Sequence, residues 1–133
     1  MNMFNSIKTS ANNKIIVTDL TRKLALGPEN VIARIAFAYS LSKNIKLSVS
    51  DLKDSKGKEY NKNVLFGQYL TYYIALICTH YNLYKTDKDI PKYIKLHIDH
   101  GLELLDEEFR NNSNVTGFEF IVQKVENGLQ NLI

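Results

Sequence analysis

The segment Leu26-Gly27-Pro28-Glu29-Asn30-Val31-Ile32-Ala33-Arg34-Ile35-Ala36 leaves this chain the least conformational freedom. Gly27 can close a preceding turn. Pro28 suits the first position of a helix, because the N–H it lacks would have no partner there, and Glu29 complements the positive end of the helix dipole. A helix therefore starts here and runs to about Ser42. Along it Val31, Ile32, Ile35, Ala36, Phe37 and Tyr39 cover more than one face, more apolar surface than packing against a single neighbour hides. Two arrangements satisfy that pattern: a central core helix, or a helix whose second face meets another copy of the chain.

Upstream, Ser6-Ile7-Lys8-Thr9-Ser10 reads as a short extended piece, with Ile7 and Lys8 on opposite sides. Ser10 can cap a helix that continues to about Leu24, with Ile16, Leu20 and Leu24 on one stripe and Lys14, Arg22 and Lys23 among its polar positions. A polar strand followed by two helices is the plan of a ribbon-helix-helix unit, in which two chains pair their strands and lay them in the DNA major groove. Residues 7–42 fit that plan.

Residues 43–62 lack helical periodicity and are rich in lysine, so a hydrated loop is expected there. The pattern then turns helical from Asn63 to Asn82, with Leu65, Tyr69, Tyr73, Leu76 and Ile77 on the repeat. Gly67 inside that stretch suggests a close backbone approach. Asp89 and Pro91 open a further helix to about Phe109, its apolar side formed by Ile94, Ile98, Leu102, Leu105 and Phe109. After the polar run 110–114, Thr116 and Glu119 form a capping box ahead of Phe118, Ile121, Val122, Val125, Leu129 and Leu132. The expected fold is mostly α. It is one domain over 1–133, made of the strand–helix–helix unit 7–42, the loop 43–62, a helical pair over 63–110 and a C-terminal helix over 116–133.

Net charge at neutral pH is +3, but residues 1–98 carry a balance of +8 and residues 99–133 one of −5. Such a division suits one surface for a polyanion and another that avoids it or meets a basic partner. No apolar run is long enough to span a bilayer and the start lacks a secretory signal, so a cytoplasmic protein is expected. The single cysteine, Cys78, can form no internal disulfide and falls in an apolar helix, as a small hydrophobe would.

Chemistry is hard to place. His97, His100 and Glu103 are three apart and wind around their helix instead of converging, with no Cys pair to complete a metal set. Phosphate-binding, dinucleotide and nucleophile-elbow motifs are absent. No catalytic residue, metal or cofactor is expected, which leaves a binding module. A protein that displaces counterions from DNA needs exposed cations on one side. Lys8, Arg22, Lys23, Arg34, Lys43, Lys46, Lys53, Lys56, Lys58 and Lys62 are the candidates for phosphate contact.

Two stretches, taken together, resemble a known family. The first joins Ile7-Lys8-Thr9-Ser10 to Leu26–Ala36. The second is Gly57-Lys58-Glu59-Tyr60-Asn61-Lys62-Asn63-Val64-Leu65-Phe66-Gly67, followed by His97-Ile98-Asp99-His100-Gly101-Leu102-Glu103-Leu104-Leu105. In order and spacing they are similar to the DndE family of DNA sulfur modification proteins, over about residues 7–105. Tyr60 stands where that family often has Phe, and Lys62 where Arg is common. The resemblance implies a small helical DNA-binding subunit that works with the other subunits of the Dnd phosphorothioation complex. It further implies self-association as a tetramer, and binding to duplex DNA that extends to nicked duplex. Two rivals stay open: a ribbon-helix-helix repressor that binds a defined operator as a dimer, and a protein-interaction adaptor whose acidic C-terminal helix meets a basic partner.

Overall fold

A computed structural model of the chain describes residues 4–112 and 115–130. Strand β1 (Ser6–Lys8) leads through the Ser10 cap into α1 (Ala11–Leu24), whose Asn13 N–H donates to the Ser10 hydroxyl at 3.2 Å. Helix α2 (Glu29–Ser42) begins one residue later than expected: Pro28 is its extended cap, and Glu29 takes the first helical position. Next come a 3-10 turn at Val49–Asp51, strand β2 (Glu59–Asn61), helix α3 (Lys62–Phe66) and a second 3-10 turn at Gly67–Tyr69. The helices α4 (Leu70–Tyr81), α5 (Ile90–Asn111) and α6 (Gly117–Gln130) follow. The fold is mostly helical, with one two-stranded antiparallel sheet. The expected positions of Leu132 and of Ser113 and Asn114 lie outside the described residues.

Three expectations give way to the structure. The lysine-rich segment is irregular and mostly exposed over 43–58, as expected, but its end is a strand: β2 pairs with β1 in the register Ser6↔Asn61, Ile7↔Tyr60, Lys8↔Glu59, and Thr9 N–H donates to the Lys58 carbonyl at 2.9 Å. The strand that a ribbon-helix-helix dimer would lend to a second chain is therefore paired inside this one. The predicted helix 63–82 is broken, because Gly67 takes φ +57° and redirects the chain between α3 and α4. A side chain at Gly67 would meet only the Arg34 guanidinium at 3.6 Å, so this glycine serves the turn and not a close approach.

The close approach lies elsewhere. A Cβ on Gly101 of α5 would sit 1.9 Å from the Ala36 carbonyl oxygen, so the α2 and α5 backbones cross there almost in contact. Ile32, Ala33, Ala36 and Phe37 are fully buried in this crossing together with Ile94, Ile98 and Leu102. Within one chain α2 is a central core helix: its apolar faces pack on α5, α1 and α3, and Val31, Ile35, Tyr39 and Leu41 are half-buried.

Polar groups thread the same crossing. Leu47 N–H donates to the Tyr81 hydroxyl oxygen at 2.9 Å, Tyr81 lies 2.6 Å from His97 Nε2, and the Ser40 hydroxyl bridges His97 Nδ1 at 2.8 Å and His100 Nδ1 at 2.7 Å. One proton order satisfies every member. Tyr81 O–H donates to His97 Nε2, His97 Nδ1–H donates to Ser40 Oγ, and Ser40 O–H donates to His100 Nδ1. The histidines that looked like possible metal ligands are thus links in a hydrogen-bonded chain joining α2, α4, α5 and the segment after α2.

Candidate nucleic-acid interface

The N-terminus of α1 holds the lysine-rich segment in place. Asp54 accepts from Ala11 N–H at 2.9 Å and from Lys56 N–H at 3.0 Å, and these two donors hold its carboxyl below the ordinary range. The buried Lys95 reaches across from α5, donating to the Asp54 carbonyl at 2.8 Å and to Asp99 Oδ2 at 3.0 Å. Asp99 in turn accepts from Ser10 N–H at 3.2 Å and Asn13 Nδ2 at 2.7 Å. This cluster ties the start of α1, the lysine-rich segment and α5 together under the surface.

Above it lies a groove of about 370 Å³ between β1, the segment before β2 and the start of α5. Lys8, Lys53 and Lys92 line it with Ser55, and Lys95 forms its floor. Lys8 has no carboxylate within ion-pair distance among the described residues, whereas Lys53 pairs with Glu103 and Lys92 with Asp89 at 3.3 Å. Both pairs are at the surface, where such contacts are weak enough for a phosphate to displace them. Lys92 was missed as a candidate from sequence. Nothing local says that the first turn of α5 returns to β1, and only the tertiary pairing brings them together.

The other candidate cations do not share this wall. Arg22 and Lys23 both pair with Asp19 on α1, at 2.7 and 2.8 Å, and the two pairings hold the Asp19 carboxyl low. Lys58 pairs with Glu29 at 3.1 Å. Lys43 lies over the Tyr39 ring at 4.5 Å and Lys62 over the Phe4 ring at 5.6 Å. Lys46 and Lys56 are exposed and make no ion pair among the described residues. Arg34 is the most committed: its Nε donates to the Leu65 carbonyl at 2.7 Å and its terminal nitrogen to the Val64 carbonyl at 3.3 Å, closing the end of α3. Of the ten candidates only Lys8 and Lys53 meet at the groove; the others are spread over α1, α2 and the segments that flank β2.

Among the described residues no group of three or more His, Cys, Asp or Glu side chains could hold a metal ion. Burial, with His80 and His100 nearby, pushes His97 down to about 4, so it is neutral at pH 7. Cys78 is half-buried and its thiol is pushed up by burial, as befits a packing residue. Also among the described residues, no helix is long and apolar enough to cross a membrane.

Residues 6–113 match the model of the family described as DNA sulphur modification protein DndE. The chain belongs to the DndE family. The fold agrees: a crystal structure of DndE from Escherichia coli B7A, involved in DNA phosphorothioation modification, superposes with a TM-score of 0.63 at 20% identity, covering 79% of this chain and 99% of that one. A DndE G21/24K mutant involved in DNA phosphorothioation gives a TM-score of 0.64 at 21% identity, covering 78% and 98%. None of the curated proteins matches the chain. The family membership connects this DndE-family chain to DNA phosphorothioation. Its helix α6 lies beyond the matched residues.

Proposed function

We propose that this chain is a noncatalytic DNA-binding subunit of the phosphorothioation machinery, which grips duplex DNA, intact or nicked, through its basic groove. It works with the other subunits of the Dnd complex and as a homo-oligomer, with a tetramer the expected assembly. The observation that carries the reading is the convergence of Lys8, Lys53 and Lys92 on one groove in a member of a DNA sulphur modification family. The groove holds cations but no base-reading fork such as a free arginine, so the expected contact is to phosphate and independent of sequence. The intramolecular pairing of β1 supports this over the repressor reading, which needs that strand at a dimer interface.

The test is a binding series with intact, nicked and single-stranded DNA at two ionic strengths. Each phosphate contact contributes about 0.9 to the slope of log affinity on log salt, so replacing Lys8, Lys53 and Lys92 by Glu should lower the slope by about 2–3 and the affinity at least about tenfold. Arg22→Glu on α1 should have a smaller effect. Binding that is absent at low salt, or unmoved by the triple variant, overturns the reading. In the latter case the adaptor reading takes its place, since much of the apolar surface of α4 is exposed.

A further inference from the structure

Helix α6 is fixed to the domain along one side. Gly117 lies against the Lys23 carbonyl, Phe120 is fully buried with its ring 5.1 Å from Phe109, and Lys124 pairs with Glu108 beside Tyr39. Turned away from that side are Phe118, Val122, Val125 and Leu129, exposed by 69, 36, 56 and 56%. Their spacing of four, three and four residues is that of a seam made to lie along a partner. Glu119 and Glu126 run along one edge of the stripe, both exposed and with no cationic partner among the described residues.

A complementary surface exists on the same molecule. Along α4 a groove of about 590 Å³ has Leu70, Ile74, Ala75 and Cys78 in its wall, with Lys62 and Lys85 at its edges. The groove residues 70–79 extend for about 14 Å of helix and the stripe 118–129 for about 16 Å, at 1.5 Å per residue. Apolar length matches apolar length, and the acidic edge of the stripe meets the lysines of the groove. The elements that hold α6, namely α1, Tyr39 of α2 and the end of α5, are not those that form the groove.

We infer that the α6 stripe of one copy docks into the α4 groove of a second copy. The contact is heterologous, stripe to groove, so it builds a ring where its rotation closes and an open chain of copies where it does not. Self-association as such rests on the functional reading above; the surface that carries it does not. The family match ends at residue 113, so this contact belongs to this chain and is not shared by DndE chains that lack α6.

The experiment is a sedimentation series on the full chain, with Val125→Glu, with Lys62→Glu and Lys85→Glu together, and with that pair combined with Glu119→Lys and Glu126→Lys. Each of the first two should weaken association at least about tenfold, because like charge or an unpaired charge is placed in the contact. The third should recover most of it. Val125→Cys should in addition form an intermolecular disulfide with Cys78 on mild oxidation. A wild-type chain that stays monomeric sinks self-association and this contact together. An oligomer untouched by Val125→Glu and not rescued by the charge exchange sinks the contact alone.

Discussion

Helices α5 and α4 invert the usual distribution of side chains in opposite senses. Helix α5 buries Lys95, His97, Asp99 and Asp106 almost completely, whereas α4, the more apolar of the two, buries only Ile77 fully and leaves Tyr72 and Leu76 exposed by 69 and 48%. The buried polar groups on α5 have partners: Asp99 has Lys95, Ser10 and Asn13, His97 has Ser40 and Tyr81, and Asp106 has Arg110. Directional bonds of this kind admit one arrangement of the helices. The outward side of α4 specifies nothing within the monomer and is stabilised only by what covers it. Much of the polar chemistry in this protein therefore serves to build the fold, while its apolar surplus faces outward.

The comparison is tested hardest at Asp99. With only 9 and 4% of the Lys95 and Asp99 side chains exposed, Asp99→Ala leaves a buried ammonium without its counter-charge. It also removes the acceptor for Ser10 and Asn13. A loss of about 3–5 kcal/mol is expected, read from urea unfolding at pH 7. A loss below about 1 kcal/mol would mean that the α5 cluster is incidental to the fold.

His97 gives the next largest effect, and its sign follows from burial. Its folded pKa is about 4, below the ordinary 6.5, so between those values the unfolded chain takes up a proton that the folded chain refuses. Stability is present above pH 6.5, falls as the pH drops, and stops falling near 4. The span is on the order of 3 kcal/mol. His100, also lowered by burial, adds in the same direction. In His97→Gln the slope across that window should shrink by more than half; an unchanged slope would assign it to other groups.

How much of this was legible in the sequence depends on whether the signal was local. The Ser10 cap, the Pro28 start and the apolar repeat of α5 are encoded within a turn or two, and they appear where the residues put them, α2 one residue late. Strand β2 is only Glu59–Asn61, and what makes it a strand is β1, more than fifty residues earlier. Gly67 showed that something special occurs there but not whether its cause was a dihedral angle or a neighbour. Gly101 looked ordinary until Ala36 lay against it. The lysines could be counted from the sequence, but their directions could not. Lys8 and Lys92 converge because α5 returns to β1, while Arg34, equally cationic in the sequence, closes the backbone of α3.

Tyr60 approaches the rule from the opposite side, as a buried polar atom that the fold leaves unanswered. The residue is 3% exposed, its hydroxyl has no hydrogen-bond partner among the described residues, and burial together with the nearby charges of Glu29 and Asp99 raises its pKa. The ring is what β2 needs, since it packs in the core beside Ile7 and the two strands hold it there. Removing the oxygen therefore deletes no bond and relieves the cost of keeping a hydroxyl from water, so Tyr60→Phe should stabilise the chain by up to about 1 kcal/mol. Equilibrium unfolding of the two proteins decides it. Destabilisation by the variant would show that the hydroxyl has a partner in solution, and the contrast between answered polar groups on α5 and an unanswered one on β2 would fail at that position.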